Sequence, residues 1–228
     1  RREMLNINKI SKQVLIYIIG LFLLAIGITF SVNANLGVSP VASLGYTFAL
    51  ISPMSLGVAT FVSNIVFIMI QFVLTRKFKL KSYIIQLIIA FIVSSFLDLA
   101  VTFMQVLPMA NVLWLKILYL IVSLFVIAFA VTLYLLSGLP MMLYDTMVPI
   151  ISEKFNLKFS SAKMICDVST VIISLIICFI LLGSWGSIGI GTIIAALFIG
   201  KILGLFMKYI REPLLKWLNA GQNEVVEQ

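Results

Sequence analysis

The chain has 228 residues, of which 62% are hydrophobic and only 11% are charged. A soluble domain carries about 25% charged residues on average, so this composition argues against a soluble enzyme, a disordered regulator and a nucleic-acid-binding domain. It predicts a chain that has lipid as its solvent. The formal charge of +8 then reflects basic residues in cytoplasmic loops. Since the chain contains no histidine, we expect no enzyme, no metal site and no cofactor.

Six apolar stretches are long enough to cross a bilayer, which takes about 20 residues per helix. In chain order they are residues 13–32, 57–75, 82–104, 113–136, 161–182 and 188–209. Two further apolar stretches, residues 39–52 and 140–152, are too short to span comfortably. Each is predicted to be a short helix that either re-enters the membrane or lies in its interface. The predicted fold class is an all-α polytopic membrane protein with six transmembrane helices in a single membrane domain.

The basic residues predict how the spans are oriented. They cluster at the N-terminus, after the second span, before the fifth and after the sixth, whereas the other connections have none. These residues are Arg1, Arg2, Lys9, Lys12, Arg76, Lys77, Lys79, Lys81, Lys154, Lys158, Lys208, Arg211 and Lys216. With six crossings all of them fall on one side, which the positive-inside rule makes cytoplasmic. We therefore expect both termini in the cytoplasm, with residues 210–228 as a cytoplasmic tail.

The two halves of the chain repeat a pattern. Each short apolar stretch directly follows a span, and the next span carries a polar stripe on one helix face. The stripes are Gly57, Thr60, Asn64 and Gln71 in the second span, and Ser160, Lys163, Asp167 and Ser174 in the fifth. Residues 13–104 and 113–209 thus predict two inverted repeats of three spans, a plan that places transporter sites near the midplane. The alternative is a chance alignment of two polar-striped helices.

Several motifs carry a resemblance to a known family. They are Asn35-Leu-Gly-Val-Ser-Pro40, Ser43-Leu-Gly-Tyr46, Lys163-Met-Ile-Cys-Asp167 and Gly189-Ile-Gly191-Thr192-Ile-Ile, followed by Gly200-Lys201. With these motifs the chain resembles the YczE/YitT-type bacterial integral membrane proteins over nearly its whole length. The resemblance implies a multi-pass protein of the bacterial plasma membrane. It departs at Pro140-Met-Met-Leu-Tyr144-Asp145, where some relatives have Gly-Pro-x-Asp, and the family, largely uncharacterised, implies no specific function.

Charges within the spans are the main functional signal, because each costs about 2.5–3.5 kcal/mol at the bilayer centre. Lys163 and Asp167 are four residues apart and can pair on one helix. Such a pair could bind a zwitterion or gate a path by exchanging partners. The alternative is a structural ion pair, with Lys163 extending to the cytoplasmic surface.

Asp98 and Lys201 have open interpretations too. A desolvated Asp98 could couple protons, or it could pair with Lys201 and hold the third and sixth spans together. Lys201 could instead extend towards the cytoplasmic end of its span. Beside it, Ala196, Gly200 and Gly204 form a small-residue series that predicts a close helix-packing face.

Ser39 and Pro40 together form a good helix start. A half-helix beginning there would direct free N–H groups and a positive dipole end at an anionic group. The alternative is an amphipathic segment in the outer interface. Ser39, Gln71, Tyr144 and Asp145 are therefore secondary candidates for solute binding.

Together these features predict a small permease for a polar or charged solute, with a site between the repeats lined by Asn64, Asp98, Lys163, Asp167 and Lys201. Two alternatives stay open. The first is a substrate-binding membrane subunit that needs energising partner subunits, and the second is a non-transporting scaffold or regulator. Partners besides the lipid bilayer and the solute could include a second copy of the chain.

Overall fold

The structure, a computed structural model, describes residues 2–76, 80–108 and 110–223. Within these residues the chain forms eight helices and no strand. They are α1 (Arg2–Ala34), α2 (Pro40–Ile51), α3 (Leu56–Thr75), α4 (Leu80–Met104), α5 (Leu113–Leu136), α6 (Leu143–Lys154), α7 (Phe159–Leu182) and α8 (Ile190–Asn223). Every helix in this part of the chain except α2 and α6 contains a stretch long and apolar enough to cross a membrane, which confirms the all-α polytopic class. Arg1, Lys77 and Lys79 of the charge pattern lie outside the described residues, as do the side chains of Arg2 and Ser160.

The centre of the bundle is the pair α1 and α5, in each of which 56% of the most apolar stretch is buried. Small residues let the two helices approach closely. A Cβ atom at Gly27 of α1 would lie 2.7 Å from Cγ1 of Ile127 on α5. On the outside of this pair, α4 packs on α1 and α8 packs on α5.

The short helix α2 lies inside the bundle, between α3 and α7. Ser174 Oγ donates a hydrogen bond to Ser43 Oγ at 3.1 Å, and one turn later on α2 Thr47 Oγ1 lies 3.5 Å from Cys178 Sγ. Since both contacts advance along α7, α2 begins beside the middle of α7 and runs towards its C-terminal end. Of the two predicted positions for this segment, the structure therefore has the internal one.

The short helix α6 makes the corresponding contacts with α3. The Tyr144 ring packs edge-on against Phe67 with centroids 5.4 Å apart, and Lys154 Nζ donates a hydrogen bond to the Leu74 carbonyl at 2.7 Å. The helix therefore begins beside the middle of α3 and runs towards that helix's C-terminal end. Each short helix thus packs alongside a span from the other half of the chain.

Residues 210–223 of the predicted cytoplasmic tail are helical and continue α8 despite an internal Pro213. Contacts with α1 and α5 stabilise this extension. Leu218 is buried against Ile16 and Leu133, and the Lys12 ammonium lies 4.7 Å from the Trp217 ring centroid. These contacts join residues far apart in the sequence, so the local pattern gave no signal for them.

Candidate functional site

Three charged side chains meet where α6 begins beside α7. Lys163 Nζ lies 2.8 Å from Asp167 Oδ1, as the spacing of four residues predicted, and 3.9 Å from Asp145 Oδ1. The side chains are 31% exposed at Lys163, 16% at Asp145 and 15% at Asp167. We call these three residues the charged cluster. Lys163 therefore contacts two carboxylates rather than pointing alone to a membrane surface.

Two tyrosine hydroxyls donate hydrogen bonds to the cluster, Tyr144 to Asp167 and Tyr134 to Asp145. Tyr144 is buried, and its hydroxyl is the donor in the contact with Asp167. The Tyr144 ring also lies under the Lys163 ammonium, with Nζ 4.4 Å from the ring centroid. Tyr134, fully buried on α5, is a site residue that the sequence did not reveal, because its contact with Asp145 depends on how α5 and α6 pack.

The cluster contains one cation and two carboxylates, and its other polar partners are neutral tyrosines. With both carboxylates ionised it has an excess of one negative charge. A proton, or the positive group of a solute, would balance that charge. The Lys163 ammonium is within hydrogen-bonding distance of Asp167 and beyond it for Asp145.

The polar stripe of α3 faces the same interior. Asn64 is 4% exposed and Gln71 is 5% exposed, and Phe67, which contacts Tyr144, lies between them on the same face. Gln71 Oε1 is buried and has no hydrogen-bond partner among the described residues. The structure therefore brings Asn64 and Gln71 to the side of α3 that faces α6, and leaves Gln71 with unused hydrogen-bonding capacity.

Asp98 lies apart from the cluster, near the end of α4. Its carboxylate accepts hydrogen bonds from Ser55 Oγ and from the Gly57 backbone N–H, both at 2.8 Å. Asp98 therefore anchors the N-terminus of α3, where a negative charge is favoured by the helix dipole. The structure does not have the alternative Asp98–Lys201 pair, since neither side chain belongs to an ion pair among the described residues.

Lys201 is exposed on the outer side of α8, where its ammonium lies 5.4 Å from the Phe198 ring centroid. Among the described residues, no carboxylate pairs with it. The small-residue series beside it is not a packing face within this chain. A Cβ atom at Gly200 or Gly204 would have nothing within 4 Å, because other residues of α8 face α5.

Ser39 is the N-cap residue of α2, as the sequence predicted, but its side chain makes no capping hydrogen bond. The residue is 0% exposed, and its Oγ has no hydrogen-bond partner among the described residues. A buried polar atom without a partner calls for an explanation such as a bound water or ligand. The first turn of α2 therefore keeps a free hydroxyl inside the bundle.

These features define the class: an all-α polytopic membrane protein with a partly exposed charged cluster at the start of an internal half-helix. Residues 11–208 match a family of unknown function, DUF6198, and the chain belongs to that family. No curated protein and no solved structure matches the chain. The match spans both halves of the chain, and the roles of individual residues rest on the geometry above.

Proposed function

We propose that this protein is a small permease for a polar or charged solute, and that the charged cluster is its solute site. The observation that carries the proposal is the pairing of one ammonium with two carboxylates at the start of a half-helix inside the bundle. Such groups are expensive in a membrane and are generally found where ions or solutes pass. Tyr144 contacts the charged cluster, and Asn64 and Gln71 lie on the same face of α3 as Phe67, which packs against Tyr144. Asp98 and Lys201 lie outside the site.

The inverted repeat belongs to this proposal. α1 packs on α4 as α5 packs on α8, and α2 contacts α3 and α7 as α6 contacts α7 and α3. This exchange of partners is what a pseudo-two-fold axis in the membrane plane would produce. It supports a site near the midplane, where the two half-helices begin.

The excess carboxylate favours a solute that carries a positive charge, either an organic cation or the ammonium group of a zwitterion. Such a group would take the place of Lys163 over the Tyr144 ring and between the carboxylates. Lys163 then acts as an internal cation that occupies the site when no solute is bound. This exchange of partners would link solute binding to a movement of α7 against α6.

Isothermal titration calorimetry with methylammonium, choline and glycine tests this assignment on the purified protein. We expect at least one of them to bind. Asp167→Asn should weaken that binding about tenfold or more, which corresponds to about 1.4 kcal/mol, because half of the carboxylate pair is lost. Lys163→Ala should tighten cation binding, since it removes the competing ammonium.

The matched control is Glu153→Gln, which neutralises an exposed carboxylate at the other end of α6 and should leave binding unchanged. Equal binding by the wild-type and Asp167→Asn proteins would rule out the charged cluster as the solute site.

A second candidate function is a substrate-binding subunit that works with energising partner subunits. The observation that favours it is the bare outer side of α8, where only 17% of the most apolar stretch is buried and Lys201 is exposed. Co-purification with an ATPase module would support this function, whereas uptake by the reconstituted chain alone would support the permease. A scaffold without transport predicts neither result.

Closer placement within the YczE/YitT-type proteins, location in a bacterial plasma membrane and the absence of enzymatic activity also stay predictions. They are compatible with the permease. The six apolar spans support a multi-pass membrane protein, and the family match covers both halves of the chain.

A further inference from the structure

Two backbone connections close the bundle where α2 and α8 begin. The α1–α2 connection meets the α7–α8 connection, where the Gly191 N–H donates to the Leu36 carbonyl at 2.7 Å and the Val38 N–H donates to the Ser187 carbonyl at 3.0 Å. We call residues 36–38 and 187–191 the glycine junction. It ties the start of α2 to the start of α8 across the two halves of the chain.

The junction is too tight for side chains. A Cβ atom at Gly37 would lie 2.7 Å from the Gly189 Cα, and one at Gly189 would lie 2.8 Å from the Leu36 carbonyl carbon. Both are closer than real Cβ contacts, and the near atoms are backbone atoms that cannot rotate away. Glycine is therefore required for the two connections to stay closed.

A buried thiol lies directly behind the junction. The Ser187 hydroxyl is 2.6 Å from Thr47 Oγ1, and Thr47 Oγ1 is 3.5 Å from Cys178 Sγ. Cys178 is 0% exposed and free of any disulfide. Its accessibility to a reagent therefore reports whether the junction is open.

The opposite end of the bundle has an open cleft of about 430 Å³. Ile85 and Gln86 of α4 form one wall of the cleft, and Met141 and Thr146 form the other. Thr146 is next in sequence to Asp145 of the charged cluster. α2 touches α8 at the closed end, whereas the corresponding helices α6 and α4 are less closely packed in the described chain and have the cleft between them. Lys81 lies at the mouth of the cleft, on the side that the basic residues predict to be cytoplasmic.

From this asymmetry we infer that the structure is a cytoplasm-open state, in which the α4–α6 cleft is the entrance to the charged cluster and the glycine junction is the closed outer gate. The inference rests on the proposed permease function and adds its access route. Opening the outer side requires the junction to separate, which α8 can do by moving away from α2. By the symmetry of the halves, α4 then closes on α6.

Thiol labelling tests the gate without any solute. In the Cys166→Ala protein, Cys178 is the remaining cysteine, and a membrane-impermeant maleimide should modify it slowly in intact cells. Gly189→Ala should raise that rate about tenfold or more, because overpacking a closed contact shifts the equilibrium towards the open state. Gly200→Ala, a matched change at a glycine with nothing within 4 Å, should leave the rate unchanged.

A second thiol tests the entrance. With both native cysteines replaced by alanine, Ile85→Cys should react in inside-out vesicles and be protected in intact cells. Adding Gly189→Ala should slow this reaction, since the opening of one side closes the other. If Gly189→Ala does not fold, Ser187→Ala replaces it, because it removes the Thr47 contact without adding an atom and should give a smaller rise in Cys178 labelling.

Three results would overturn the inference: rapid labelling of Cys178 from outside with an intact junction, no change in a folded Gly189→Ala protein, or labelling of Ile85→Cys from outside only. The labelling needs no transported solute. A protein that binds none of the tested solutes but gates as described would refute the proposed solute site and leave the gate standing.

Discussion

At the scale of single residues, Tyr134 offers a sharp test of how the charged cluster is stabilised. Tyr134→Phe removes the hydroxyl that donates to Asp145, and hydrogen bonds to charged groups contribute about 1.5–3 kcal/mol. The matched control is Tyr17→Phe, which loses a hydrogen bond of 2.8 Å to the neutral Pro140 carbonyl, a contribution of about 0.5–1.5 kcal/mol. We expect the melting temperature in detergent to fall further in Tyr134→Phe. An equal or larger fall in Tyr17→Phe would contradict this account of Asp145.

The charged cluster also shows which residues of the candidate site could be predicted from the sequence. The Lys163–Asp167 pair follows from helical spacing alone, and the structure has it at 2.8 Å. Asp145 was only a secondary candidate and Tyr134 was not one, because both reach the pair through the packing of three helices. For Asp98, a pairing with Lys201 on α8 was one of the open interpretations, but a closer partner, the α3 N-terminus, was available to its carboxylate.

At the scale of the helices, the contact between α1 and α5 should tolerate no added volume. Gly27→Ala would place a methyl group 2.7 Å from Ile127 Cγ1 and 3.0 Å from the Ile127 backbone nitrogen. Overpacking of this kind costs about 1–3 kcal/mol. Gly204→Ala adds the same atom to α8 in open space, where alanine favours the helix by up to about 1 kcal/mol.

Thermal unfolding of the two variants provides the measurement. Gly27→Ala should lower the melting temperature, and Gly204→Ala should leave it unchanged or raise it slightly. A destabilised Gly204→Ala protein would mean that the outer face of α8 is covered, as the subunit hypothesis requires. An unaffected Gly27→Ala protein would contradict the packing of α1 on α5.

Hydropathy predicted the helices well because a lipid-spanning helix needs a long apolar run and little else. The six predicted spans agree with the observed ones, except where α8 runs on past residue 209. The position of α2 inside the bundle was not predictable, because a short apolar helix suits an interface as well as an interior. Contacts through Ser43 and Thr47 with α7 decide between the two, and these contacts are non-local.

At the scale of the whole molecule, the few charged residues fall into two groups with different roles. Most basic residues belong to the four sequence clusters that predict the orientation of the bundle, whereas the charged cluster lies within the bundle. The halves of the chain repeat their main contacts but are not identical, since in the described residues α3 packs on α4 more extensively than α7 packs on α8. Such a difference is expected of an inverted-repeat transporter held in one of its two states.

Uptake by proteoliposomes that contain only this chain tests the permease most directly. With methylammonium, choline and glycine as labelled solutes, we expect the wild-type and Glu153→Gln proteins to accumulate at least one of them over protein-free liposomes. Asp167→Asn should lose that uptake, because the site no longer holds an excess negative charge. No uptake of any of the three by the wild-type protein, or full uptake by Asp167→Asn, would contradict the account.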